Sequence, residues 1–180
     1  KKVSFTPEIQ AIHDYFLFYL NPSVSLDIES ILQYIINFDD FDTFYTKLKE
    51  SNPEKAEQII NKIKDTPLLI KHTIKKGHPS VFSDLVATLD ATTLNSPLDT
   101  VCNTPLLFAL KNGNVEFAKQ LIDEPNITIN ITDSNDMNAL HIASIKGHKE
   151  IVRMLLENSE KHPTLITDKD IHGFNAIHIA

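Results

Sequence analysis

At 180 residues and 20.3 kDa, with 42% hydrophobic residues, the chain can bury the core of one compact domain or a short repeat array. A net charge of −7, with no stretch gathering Lys and Arg into a basic stripe, argues against a nucleic-acid partner. The single cysteine, Cys102, excludes an internal disulfide and points to a reducing cytoplasm, while the most apolar run, residues 15–20, falls far short of the roughly 18 residues that span a bilayer.

From the N-terminus, apolar periodicity predicts helices over 7–20, 26–38, 41–50 and 53–64, separated by Asn-Pro and acidic punctuation. Phe16, Leu17, Phe18, Tyr19 and Leu20 make the first of them apolar around its whole circumference, which predicts burial against the helices that follow. Thr6-Pro7-Glu8-Ile9 and the spacing after it resemble an F-box, which implies an adaptor that recruits ubiquitin-ligase machinery, although the chain lacks the tryptophan usual in that motif. Asp39, Asp40 and Asp42 look like part of a calcium loop, but no glycine or distal Glu completes the ligand set. They are expected to end one helix and cap the next.

Beyond residue 64 the glycines organise the chain. Gly77, Gly113 and Gly147 sit 36 and 34 residues apart, a period that marks a repeat architecture. Each follows one helical apolar pattern and precedes another, as when glycine supplies the left-handed residue at which a helix ends and the chain reverses. Val81, Leu85 and Val86, then Phe117, Leu121 and Ile122, then Ile151, Leu155 and Leu156 fall at matching distances after the three glycines, giving each second helix one buried stripe. Before the glycines, and again near the end, stand Thr104-Pro105-Leu106-Leu107-Phe108-Ala109, Asn138-Ala139-Leu140-His141-Ile142-Ala143 and Asn175-Ala176-Ile177-His178-Ile179-Ala180.

These segments resemble the ankyrin signature Thr-Pro-Leu-His-x-Ala, in which Thr or Asn caps the helix, Pro fits the first turn and Ala lets helices pack closely. The resemblance implies an all-α solenoid of helix-turn-helix units with short β-hairpin loops, preceded by a helical N-terminal cap region. Residues 1–64 would form the cap and residues 65–180 the repeats, divided as a degenerate unit over 65–98, then 99–132, 133–169 and a truncated 170–180. The family's hairpin, Asp-x-x-Gly-x-Thr, is matched by Asp170-Ile171-His172-Gly173-Phe174-Asn175 and, with Asp136 for glycine, by Asp133-Ser134-Asn135-Asp136-Met137-Asn138. In Asp99-Thr100-Val101-Cys102-Asn103 the glycine position holds Cys102, which predicts a strained and distorted hairpin. The capping residues Thr104, Asn138 and Asn175 are 34 and 37 residues apart, so the second interval carries an insertion near 158–168. In the Gly77 unit, Thr66-Pro67-Leu68-Leu69 lies two residues too far from the glycine, and the small residue at the helix contact is missing.

Eight histidines invite a search for chemistry. His141 and His178 hold the family's His position, where imidazole bonds main chain between repeats; His78 and His148 follow turn glycines. His13, His72, His162 and His172 lie in separate elements without a second ligand at i+4, so no metal site is assigned. Cys102 sits in a hairpin loop rather than at a helix start that would activate its thiol, and four scattered glycines cannot build a phosphate loop. No cofactor and no catalytic residue is expected within this stretch.

The resemblance implies that a partner protein is bound by the hairpin tips and the exposed side of the first helices. Carried across, these positions are Thr100, Val101, Asn103, Lys111 and Asn112, then Ser134, Asn135, Met137, Ile145 and Lys146, then Ile171, His172 and Phe174. Among the apolar ones, Met137, Ile145, Ile171 and Phe174 are candidate anchors. The expected function is a monomeric protein-interaction scaffold; a second reading is the interaction part of a larger enzyme or translocated bacterial effector, in the host cytoplasm. The absence of an initiator Met and the stop at Ala180, inside a unit, are read as those of a fragment.

Overall fold

The structure, a computed structural model, describes residues 39–159 and 162–180. The expected helices over 7–20 and 26–38, the apolar cluster at 16–20, His13 and the F-box-like segment lie outside the described residues.

Described residues form nine α-helices and no strand. They are α1 (Phe41–Ser51), α2 (Pro53–Lys64), α3 (Pro67–Lys76), α4 (Pro79–Val86), α5 (Ala91–Asn95), α6 (Pro105–Lys111), α7 (Val115–Ile122), α8 (Ala139–Lys146) and α9 (Lys149–Glu157). A 3-10 turn, Pro163–Ile166, fills the insertion. Helices α3, α6 and α8 stack side by side as inner helices, and α4, α7 and α9 stack behind them as outer helices. The solenoid expected from the glycine spacing is therefore present. The hairpins between units are tight turns joined by single main-chain bonds.

Packing follows the sequence stripes. Inner helices are buried almost all round: Leu106 to Leu110 in α6, and Ala139 to Ala143 in α8. Ala109 and Ala143 are fully buried, and in α3 the same place, four residues before the glycine, is taken by Thr73. Thr73 fits there because its hydroxyl donates to the Leu69 carbonyl (2.9 Å), leaving no buried polar group unmet. The outer stripe is buried at Val81, Leu85, Val86, Phe117, Leu121, Ile122, Ile151 and Leu155. Between α4 and α7 the rings of Phe82 and Phe117 stack nearly parallel, 4.1 Å apart. Leu156 departs from the expected stripe and is 42% exposed, because among the described residues no helix packs on the far side of α9.

Helices α1 and α2 join the same core. Phe41, Tyr45 and Leu48 of α1 and Ala56, Ile59, Ile60 and Ile63 of α2 are buried; α1 lies against α4, and α2 across α3 and α4. Asp42 caps α4 from α1: its carboxylate accepts from the Ser80 and Val81 amides (2.7 and 3.2 Å) and from the Ser80 hydroxyl (2.8 Å). Asp39 pairs with Lys76 (3.0 Å). The acidic run thus caps and pairs helices, but not the one expected: Asp40 makes no side-chain cap bond to α1, and the helix that was expected to end here lies outside the described residues.

Candidate partner-binding face

Each hairpin is built on one aspartate. Asp133 Oδ1 accepts from the amides of Asn135 (2.8 Å) and Met137 (3.0 Å), and Asp170 Oδ1 accepts from those of His172 and Phe174 (both 2.9 Å). Asp99 Oδ1 accepts from the Asn103 amide (3.1 Å), and its Oδ2 from the Asn103 side chain (3.0 Å). Three residues after each aspartate the backbone turns left-handed: φ is 59° at Cys102, 56° at Asp136 and 83° at Gly173. The Cys102 hairpin is strained and departs from the other two, as expected: Asp99 accepts from the Asn103 amide but not from that of Val101, and the closing main-chain bond runs from the Leu98 amide to Asn103 rather than from the aspartate's own amide. Adjacent tips are tied together by main chain, the Ser134 amide donating to Val101 and the Ile171 amide to Asn135 (both 3.1 Å).

The caps fix each inner helix to the tip before it. Thr104 Oγ1 accepts from the Leu107 amide (3.4 Å), and Asn138 Oδ1 from the amides of Leu140 and His141 (both 3.1 Å). Asn138 Nδ2 also donates to the Leu165 carbonyl (3.0 Å), holding the insertion against α8. His141 Nε2 lies 3.1 Å from the Phe174 carbonyl, and Nδ1 faces the Asn138 amide group, so the ring ties α8 to the next hairpin. Thr66 behaves differently: at the start of α3 it makes no cap bond, and its hydroxyl donates back to Lys62 (3.2 Å).

Lysines of the inner helices clamp the hairpin aspartates of the unit that follows. Lys111 Nζ lies 2.6 Å from Asp133, whose side chain is wholly buried, and Lys71 Nζ lies 3.2 Å from Asp99 while sitting 5.1 Å over the Phe108 ring. Ile145 occupies the place of Lys111, two residues before the turn glycine, so α8 offers Asp170 no such lysine. Asp170 is nonetheless held below the ordinary carboxylate range, chiefly by the Phe174 amide and then, against desolvation, by the His172 amide and the His172 and His141 imidazoles.

The residues expected on the binding face separate into two groups. Thr100, Val101, Asn112, Ser134, Asn135, Ile145, Lys146, Ile171, His172 and Phe174 are exposed on the hairpin tips and inner-helix ends. Asn103 is instead buried beside Asp99, Met137 is half-buried against the core, and Lys111 is committed to Asp133. Four of the exposed set are large and apolar: Val101 (46% exposed), Ile145 (54%), Ile171 (54%) and Phe174 (50%). Sequence reasoning missed Leu68, nearly half exposed on α3, and Asp170, whose signal was available in the isoleucine that stands at position 145 where Lys111 stands one unit earlier.

Residues 70–170 match a family model described as ankyrin repeats, three copies. The chain is 30% identical over 98 residues to Ankyrin repeat and SAM domain-containing protein 6 of Mus musculus, covering 53% of this chain and 11% of that protein. It is 38% identical over 74 residues to BTB/POZ domain-containing protein 3 of Schizosaccharomyces pombe, covering 39% of this chain and 14% of that protein. It is 27% identical over 131 residues to Synphilin-1 of Mus musculus, covering 71% of this chain and 14% of that protein. The chain thus spans only a small part of the curated relatives it matches.

Proposed function

This chain belongs to the ankyrin-repeat family, and from that premise we propose that it is a protein-interaction scaffold binding a partner protein across the concave face of its repeats. Repeats of this family are generally protein-protein interaction modules, and the family is typically non-enzymatic. One observation carries the reading to particular residues: Val101, Ile171 and Phe174 on hairpin tips joined by main-chain bonds, and Ile145 at the end of α8, are each about half exposed. Large apolar groups on a pre-organised surface have no packing role in the isolated chain and lose little entropy when a partner covers them. In this proposal α1 and α2 close the N-terminal end of the stack, giving the first inner helix an apolar neighbour.

The test is affinity capture of partners from cell lysate by the wild-type chain and by Ile145→Asp/Ile171→Asp/Phe174→Asp, with circular dichroism to show that both fold. A protein retained by the first and lost by the second supports the proposal. Equal capture by both would move the site away from this face.

A further inference from the structure

The third hairpin lacks the lysine that its two predecessors have. Lys71 reaches Asp99 from six residues before Gly77, where α8 carries His141, and the imidazoles of His141 and His172 are the side chains that act electrostatically on Asp170. Asp99 and Asp133 are each met by a lysine from the inner helix of the preceding unit, at 3.2 and 2.6 Å. Lys111 reaches Asp133 from two residues before Gly113; the same place before Gly147 holds Ile145, which carries no charge. Among the described residues no lysine or arginine pairs with Asp170, although its carboxylate is fixed by the His172 and Phe174 amides and only one oxygen is engaged by them. Ile171 and Phe174 stand on the same tip, and Ile145 holds the register from which Lys111 reaches Asp133; all three are half exposed.

A fixed, half-open carboxylate rimmed by apolar side chains is complementary to a long cationic side chain, whose methylenes pack on the rim while its head meets the charge. The net charge of −7 reinforces attraction for such a partner. We propose that Asp170, with Ile145, Ile171 and Phe174, is the receptor for one lysine or arginine side chain of an extended partner segment with apolar residues beside that basic one. It stands in for the lysine that this chain supplies to Asp99 and Asp133 itself. This rests on the concave-face reading and specifies its partner chemistry.

The experiment has an internal and an external readout. Ile145→Lys restores the lysine internally, so the thermal midpoint should rise by about 2 °C, and the rise should vanish in Ile145→Lys/Asp170→Asn, where the amide keeps the turn acceptor but loses the charge. Displayed random twelve-residue peptides, selected on the wild-type chain, should converge on a Lys or Arg beside apolar residues. The selected peptides, synthesised singly, should bind Ile145→Lys and Asp170→Asn about tenfold more weakly, an effect that grows as salt is lowered. Peptides without a basic residue, or binding unchanged in both variants but lost in Val101→Asp, would overturn the cation receptor and leave the concave face standing. Binding indifferent to Val101→Asp as well would overturn both. Self-association of the chain that Ile145→Lys abolishes would assign the face to a second copy and overturn the proposal.

Discussion

At the scale of single residues, the hairpins depend on backbone that most side chains resist. Cys102 and Asp136 hold positive φ without being glycine, and at Cys102 the side chain offers no local hydrogen bond in return. Cys102→Gly should therefore stabilise the chain by about 0.5–1 kcal/mol in urea unfolding, more than Asp136→Gly does, because Asp tolerates this conformation better. Gly147→Ala should cost about 1 kcal/mol, and the cost is purely conformational, since a Cβ there would meet no atom within 4 Å. Asn138 caps α8 and holds Leu165, so Asn138→Ala should lose about 2–3 kcal/mol, against about 1 kcal/mol or less for Asn175→Ala, whose cap is exposed. Denaturant midpoints decide each case. The turn aspartates also set the acid limb. Main-chain donors, first those of Thr93 for Asp90 and Phe174 for Asp170, hold both carboxylates below their ordinary value. Their contribution is present above about pH 3.9 and is lost as pH falls through the lower folded value. Asp90→Asn/Asp170→Asn should accordingly flatten the fall in midpoint between about pH 5 and pH 2.5.

At the scale of elements, what was legible in the sequence was whatever local physics dictates. Helix-ending glycines, Asn and Thr caps and period-3.6 stripes are local signals, and α1 to α4 and α6 to α9 formed where those signals placed them, whereas the short α5 was not anticipated. Partner-facing positions were less legible, because they depend on how one unit meets the next. Asn103 and Met137 were assigned to the surface by position in the unit, yet tertiary packing turned them inward; Lys111 was taken as free, yet it meets an aspartate 22 residues away. The contact between units is also where the energy lies. Removing the Phe82–Phe117 stack by Phe117→Ala should cost about 3–4 kcal/mol, and Lys111→Met about 2 kcal/mol. The second figure is below that of a fully buried pair because Lys111 keeps 29% of its side-chain surface, although Asp133 is left without its cation. Thermal and urea unfolding of both variants measure these costs.

At the scale of the whole molecule, a stack in which each helix pair contacts only its neighbours makes stability a sum of unit and interface contributions, and leaves one long face to be decorated independently of the core. That separation explains how polar and apolar tip residues vary while the inner helices remain buried. It also confines the central claim to a testable surface. The most direct measurement is amide hydrogen exchange on the chain with and without a partner recovered by wild-type capture. Slowed exchange at the hairpin tips 100–103, 134–137 and 171–174 and at the C-terminal ends of α6 and α8, with α4, α7 and α9 unchanged, is the result predicted here. Protection confined to the outer helices would contradict a concave binding face.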